Sequence, residues 1–198
     1  MDWKRIKEKY HLPANYFLCV SGNDKRKNIP HVIKCFNNFI LQERPKDMYL
    51  VLAGNASHSS SLLDELNITK TVRDKIFIPD AFIDSGDLAI LYSNAMCFFF
   101  MSLYEGFGLP ALEAMQCGVP TVASNSSSLP EVVGDAGILL PPLDEDGLSE
   151  VMNNMYKDEA LRKKYASAGL VRAEEFSWQK CADAYAGIFK DIALSFPL

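Results

Sequence analysis

Short apolar runs alternate along this 198-residue chain with segments whose apolar residues recur at helical spacing. The apolar runs, which we interpret as strands, occupy residues 16–20, 49–53, 75–78, 96–101, 120–124 and 137–140. Strands that are apolar along their whole length are buried on both faces, and parallel strands need helical crossovers to connect them. The pattern therefore predicts an α/β fold: a doubly wound, Rossmann-like parallel sheet of about six strands with helices on both faces.

After the last predicted strand the periodicity is helical throughout. We predict three C-terminal helices near residues 148–156, 161–176 and 181–194. A chain of this length favours one domain. We therefore assign residues 16–198 to a single Rossmann-like domain that includes these helices, and residues 1–15 to a lead-in.

Composition argues against several classes of protein. The formal net charge is −5, which disfavours a nucleic-acid partner. No stretch of about 18 apolar residues is free of charges, so no membrane span is predicted, and the charged N-terminus lacks the apolar core of a signal peptide. The five cysteines show no metal-binding or disulfide spacing, and their odd number fits a reducing compartment. We therefore predict a cytoplasmic protein.

Ligands of doubly wound folds bind beyond the carboxyl ends of the strands. The turns that follow four of the predicted strands should therefore meet at one edge of the sheet. These turns comprise residues 21–27, 54–57, 79–82 and 102–109.

The last of these turns carries two carboxylates around a glycine-rich segment. Glu105 follows the strand, Gly106 and Gly108 remove side-chain bulk, and Pro110 suits the first turn of a helix. Glu113 then falls about one helical turn further on, where the helix dipole favours a negative charge. The N–H groups of such a helix N-terminus suit a phosphate, and the carboxylates suit sugar hydroxyls. The alternative is that Glu113 only complements the dipole and that Glu105 is a solvated loop residue.

A basic turn follows the first strand. Arg26 and Lys27 stand where the ends of neighbouring strands should meet, and such side chains can clamp a diphosphate. The alternative is a solvated basic loop, and for Lys25 we prefer it. No G-x-G-x-x-G follows the first strand, which disfavours an NAD dehydrogenase. We interpret His11, His31 and His58 as surface or capping residues.

The segment 98–135 strongly resembles the donor-binding domain of the retaining group 1 glycosyltransferases, which have the GT-B architecture. The matching stretches are SLYEGFGLPALEAMQCGVPTVAS (102–124), SSLPEVVGDAGILLPPLD (127–144), RKNI (26–29) and FSWQKCADAY (176–185). The resemblance covers nearly the whole chain. It implies a C-terminal nucleotide-sugar-binding domain whose N-terminal GT-B partner domain is missing from this sequence.

The resemblance also implies roles for individual residues. Glu105 is similar to the catalytic glutamate that approaches the donor sugar and supports the transition state. Glu113 is similar to the glutamate that binds the ribose hydroxyls. Arg26 and Lys27 are similar to the basic pair that neutralises the departing diphosphate, and Ile83 occupies the place of a base contact.

Backbone groups complete the implied donor site. N–H groups of the turn after the fourth strand would contact the sugar and the distal phosphate, and these belong to Gly106, Phe107, Gly108 and Leu109. After the first strand, Ser21 and Gly22 stand where many family members have Gly-Arg. Gly22 is therefore included among the expected donor-binding residues.

The leading hypothesis is the donor-binding half of a retaining glycosyltransferase. It would move a hexose from a nucleotide sugar, such as a UDP-hexose or GDP-mannose, to a carbohydrate or lipid-linked acceptor. We expect no cofactor and no divalent metal, no transfer by this chain alone, and a peripheral position at the inner face of the membrane for the full-length enzyme. The alternative is a non-catalytic sugar-nucleotide-binding subunit that acts with a partner chain, and a GT-B epimerase is a weaker third hypothesis.

Overall fold

A computed structural model describes residues 2–22, 24–54, 62–66 and 68–195 of the chain. Six strands form one sheet in the order β3-β2-β1-β4-β5-β6, and all five pairings are parallel. The strands are β1 Tyr16–Val20, β2 Tyr49–Ala53, β3 Ile76–Phe77, β4 Cys97–Phe100, β5 Thr121–Ser124 and β6 Ile138–Leu140. The predicted α/β doubly wound fold is thereby confirmed. In the predicted turn 54–57, residues 55–57 lie outside the described residues.

Helices lie on both faces of this sheet. They are α1 Trp3–Lys9, α2 Ile29–Glu43, α3 Lys70–Arg73, α4 Ser85–Ser93, α5 Leu109–Gln116, α6 Leu129–Val133, α7 Glu145–Lys157, α8 Glu159–Ala173 and α9 Trp178–Ser195. Residues 62–65 are also helical. Helices α7 and α8 begin earlier than predicted because Asp144 and Asp158 cap them, accepting hydrogen bonds from the amides of Gly147 at 2.9 Å and Leu161 at 2.8 Å.

The two faces of the sheet bury two different sets of strand residues. Phe99 faces the layer of α2 and α7, where it packs edge-on against Phe17 with ring centroids 5.0 Å apart. Phe98 and Phe100 face the opposite layer, which contains α1, α4 and α5. The triple phenylalanine therefore covers both faces of β4, because successive strand residues point to opposite sides.

The first and last helices differ in their packing. Within residues 1–15, Trp3–Lys9 is a helix, and Ile6 and Tyr10 are buried against the domain. Helix α9 has no buried residue, and its Trp178 and Phe189 are 80% and 66% exposed. Among the described residues, no helix has both the length and the apolar character needed to cross a membrane.

Candidate functional site

The turn between β4 and α5 takes its shape from one of its two glycines. Gly108 has φ +104° and lies directly before Leu109, the first residue of α5. A Cβ atom at position 108 would lie 2.5 Å from the Leu129 side chain, whereas one at Gly106 would meet nothing within 4 Å. Gly108 is therefore required by the backbone, and Gly106 leaves open space beside the turn.

The amides of this turn have no partner among the described residues. Within the part of the chain that the structure describes, the N–H groups of residues 106–109 donate no hydrogen bond. Phe107 is 43% exposed and its ring stacks edge-on against Phe176 at 5.9 Å. Unpaired N–H groups at the start of a helix form a site for an anion.

Glu105 is held at the centre of this edge by several neighbours. Its Oε1 accepts a hydrogen bond from Ser102 Oγ at 2.8 Å, and its backbone N–H donates to Ser127 Oγ at 2.9 Å. Ser128 Oγ contacts the carbonyl oxygens of Glu105 and Phe107 at 3.0 and 2.8 Å. The Glu105 side chain is 19% exposed, so it reaches the surface while its position is fixed.

These serines were not assigned a role by sequence reasoning. Ser127 adopts a left-handed conformation with φ 50°, which is uncommon for a residue other than glycine. The run of three serines before α6 was the available signal, because serines favour helix starts and turns. Only the fold brings that run against Glu105.

The two basic residues of the first turn have different partners. Lys27 Nζ lies 3.7 Å from Glu105 Oε1 and 4.7 Å from the centroid of the Phe100 ring. Arg26 instead forms an ion pair with Asp24 at 2.5 Å, and its hydrogen bonds lower the pKa of the Asp24 carboxyl. The structure therefore brings Lys27 to the predicted catalytic glutamate and leaves Arg26, 59% exposed at its side chain, at the rim.

Asn28 joins this basic turn to the turn that carries Glu105. Its side-chain amide donates to the carbonyl oxygens of Met101 at 3.0 Å and Pro142 at 2.7 Å. The amide of Leu103 donates to the Arg26 carbonyl at 2.7 Å. Asn28 is in the left-handed conformation that asparagine tolerates better than most residues. Its role was another that sequence reasoning missed.

Glu113, on α5, lines a separate pocket of about 150 Å³ that does not include Glu105. Tyr92, which is fully buried, places its hydroxyl 3.3 Å from Glu113 Oε2, and burial raises the pKa of that tyrosine. The pocket walls include Ser21, Gly54, Phe82, Ile83, Tyr92 and Glu113. Two predicted donor-binding residues, Ile83 and Glu113, thus share one pocket.

The glycines after β1 and β2 have different surroundings. Gly22 follows Ser21, which lines this pocket, but does not line the pocket itself. A Cβ atom at position 22 would meet nothing within 4 Å. Gly54 has φ +154°, and a Cβ atom there would lie 2.2 Å from the Ser21 carbonyl oxygen. The close approach of these two strand ends therefore needs glycine at position 54, not at position 22.

Two expectations require correction or comment. His31 is not a surface residue: it is 7% exposed, its Nε2 lies 3.8 Å from Cys35 Sγ, and burial lowers its pKa. His58 lies outside the described residues. The expectation of no divalent metal took the sequence to lack an Asp-x-Asp triplet, and that premise is wrong, because residues 144–146 are Asp-Glu-Asp. Asp144 caps α7, and Glu145 pairs with Lys34 at 2.7 Å.

The fold and the site define a class of protein. The site lies at the carboxyl ends of β1 and β4 of a doubly wound parallel sheet, and it contains a glycine-rich helix start, two carboxylates and a lysine. Such sheets bind nucleotides at this edge. The chain belongs to the group 1 glycosyltransferases, because the family model described as "Glycosyl transferases group 1" matches residues 2–171. The resemblance noted in the sequence is confirmed at the level of the family.

Individual relatives agree with this membership. O-antigen chain mannosyltransferase B of Escherichia coli is 35% identical over 186 residues, which are 93% of this chain and 48% of that protein. The MMP alpha-(1->4)-mannosyltransferase of Mycolicibacterium hassiacum is 36% identical over 197 residues, covering 96% of this chain and 46% of that protein. The structure of sucrose-phosphate synthase from Thermosynechococcus elongatus has a TM-score of 0.78 at 25% identity, covering 96% of this chain and 49% of that one. The chain spans about half the length of these two mannosyltransferases.

Proposed function

We propose that this chain is the donor-binding half of a retaining glycosyltransferase that moves a hexose from a nucleotide-diphosphate sugar to a carbohydrate or lipid-linked acceptor. The observation that carries the proposal is the placement of Glu105 and Glu113 on the two sides of one glycine-shaped helix start, with Lys27 3.7 Å from Glu105. An N-terminal GT-B domain, in a longer protein that contains this chain, would supply the acceptor site.

The pocket around Glu113 is the proposed nucleoside subsite. The Glu113 carboxylate lines the pocket and can accept hydrogen bonds from both hydroxyls of a ribose. Ile83 and Phe82 also line it and would pack against the base. A carboxylate and apolar side chains in one pocket match the two halves of a nucleoside.

The proposed diphosphate position lies between this pocket and Glu105. The amides of residues 106–109, which donate no hydrogen bond within the described part of the chain, would bind the distal phosphate at the start of α5. Lys27 would stabilise the negative charge that develops on the diphosphate as the bond to the sugar breaks. Arg26 would join it by exchanging its ion pair with Asp24 for the phosphate.

Glu105 is the proposed catalytic residue. Ser102 and Ser127 hold it at the edge of the sheet, and its side chain reaches the surface. A carboxylate fixed there would lie beside the sugar and stabilise the positive charge that forms at its ring in the transition state.

Mannose is the hexose that we propose. Two of the relatives are named as mannosyltransferases, at 35% and 36% identity. GDP-mannose is therefore the first donor to test, with UDP-hexoses as the comparison. We also propose that the product belongs to a surface polysaccharide, since one relative is named for the O-antigen chain.

Calorimetry with GDP on the unmodified chain and on Glu113→Ala tests the nucleoside subsite. The loss of charge-assisted hydrogen bonds to the ribose should raise Kd about ten- to 150-fold, corresponding to about 1.5–3 kcal/mol. Glu150→Ala is the control, because Glu150 is an exposed carboxylate on α7, in the opposite layer. Equal GDP affinity in Glu113→Ala and Glu150→Ala would refute the ribose assignment.

The half-enzyme proposal needs a separate assay. This chain incubated with GDP-mannose and candidate acceptors should transfer no sugar, whereas a full-length protein that contains it should do so. Efficient transfer by the chain alone would contradict the proposal, and nucleotide binding without transfer in the full-length protein would favour the non-catalytic subunit.

A further inference from the structure

One wall of the Glu113 pocket lies next in sequence to residues that bond to the first helix. Phe82 and Ile83 belong to a segment without regular structure between β3 and α4. Phe82 is 78% exposed, whereas Ile83 is 6% exposed and belongs to the same core cluster as Ile6 and Tyr10. Ile83 is therefore part of the core that α1 helps to form, and the next residue, Asp84, bonds directly to Tyr10.

Polar contacts from α1 hold the end of this segment. The amide of Asp84 donates to the Tyr10 hydroxyl at 3.1 Å, and that hydroxyl donates to Asp87 Oδ2 at 3.0 Å. Lys9 Nζ lies 2.6 Å from Asp84 Oδ2 and 2.7 Å from Asp87 Oδ2. Arg5 contacts Asp87 Oδ1 at 2.8 Å. We call this group of five residues the α1 clamp.

The α1 clamp is unlike an ordinary surface ion pair. Exposed pairs usually contribute little, but the Asp87 side chain is only 9% exposed and accepts hydrogen bonds from three different residues. Asp84 precedes the first residue of α4, yet its side chain forms no capping hydrogen bond. Its carboxylate is instead held by Lys9, so α1 takes part in fixing where α4 begins.

We propose that Tyr10 and Lys9 are positioning residues for nucleotide binding: they hold the Phe82–Ile83 wall where the base of the donor packs against it. This role rests on the proposed nucleoside subsite. Tyr10 and Lys9 would thus affect the affinity for the base although they line no part of the Glu113 pocket. Loosening the clamp should weaken contacts to the base and leave contacts to the phosphates unchanged.

Tyr10→Phe is the sharpest test, because it removes one hydroxyl and keeps the buried ring. The matched control is Tyr16→Phe, which removes another buried tyrosine hydroxyl. That hydroxyl donates to the Leu91 carbonyl at 2.7 Å and not to Asp84 or Asp87. Calorimetry with GDP and with inorganic pyrophosphate should show that Tyr10→Phe raises Kd for GDP about fivefold, the effect of one lost hydrogen bond, with Kd for pyrophosphate within about twofold. Tyr16→Phe should change neither constant.

Amide hydrogen exchange provides a measurement without ligand. In Tyr10→Phe the Asp84 amide loses its acceptor and should exchange faster, while the amides of β1 and β2 keep their protection. An unchanged Asp84 amide, or equal losses of GDP affinity in the two variants, would overturn the positioning role. If the unmodified chain binds GDP no more tightly than pyrophosphate, it has no nucleoside subsite, and both the proposed function and the positioning role are refuted. A preference that survives intact in Tyr10→Phe refutes the positioning role alone.

Discussion

Replacing Gly108 with alanine should destabilise the whole domain, because this glycine sets the turn that starts α5. Its φ of +104° and ψ of 39° lie outside the conformations that residues with a Cβ readily adopt. The added methyl group would also lie 2.5 Å from Leu129 Cδ2. Backbone strain and steric overlap therefore act at the same position.

The size of the destabilisation in Gly108→Ala follows from backbone strain and steric overlap. A residue with a Cβ in a left-handed conformation costs about 1–2 kcal/mol. The overlap falls on the end of a leucine side chain, which can rotate away at a further cost of about 0.5–1.5 kcal/mol. We therefore expect Gly108→Ala to lower the free energy of unfolding by about 1.5–3.5 kcal/mol, which is a decrease of about 3–14 °C in Tm for a chain of this size.

Gly106→Ala is the matched control on the same turn. Its Cβ would meet nothing within 4 Å and its φ lies outside the left-handed region, so its stability should stay within about 0.5 kcal/mol of the unmodified chain. Urea unfolding followed by circular dichroism would measure both variants. The reasoning is refuted if Gly108→Ala unfolds at the same urea concentration as Gly106→Ala.

Two further predictions concern the core and the α1 clamp. Phe99→Ala should lower the free energy of unfolding by about 3–5 kcal/mol, because Phe99 is 1% exposed and packs against Phe17; a urea midpoint near that of the unmodified chain would contradict this. Hydrogen bonds from Lys9 and Arg5 lower the pKa of Asp87 from 3.8 to about 2. The stabilising contribution of this carboxylate should therefore be present above about pH 4 and be lost as the pH falls towards 2. Urea unfolding measured between these pH values should show this loss in the unmodified chain and not in Asp87→Asn.

The fold class was predictable because it depends on local patterns. Apolar runs with helical segments between them can bury both faces only as a parallel sheet with crossovers, and six strands in a doubly wound order are what the structure contains. Predicted boundaries were too wide at the ends of strands: the run 96–101 contains β4 at Cys97–Phe100. Strand ends depend on which neighbour offers a hydrogen bond, and that is set by the sheet.

The edge that carries the candidate site was predictable for the same reason. Glu105 follows β4 and Lys27 follows β1, and adjacent parallel strands bring their carboxyl ends together. The different partners of the basic residues were not predictable. Arg26 pairs with Asp24 and Lys27 reaches Glu105, although the sequence presents Arg26 and Lys27 as one basic pair.

The sequence by itself determined the fold class, the order of its elements and the edge at which the candidate site lies, because periodicity and glycine placement act over a few residues. The tertiary structure alone decided which groups support that edge. Ser127 and Glu105 are 22 residues apart, and Tyr10 and Asp84 are 74 residues apart. Contacts over such separations exist only after the crossovers have packed the helices onto the sheet, so no local pattern specifies them.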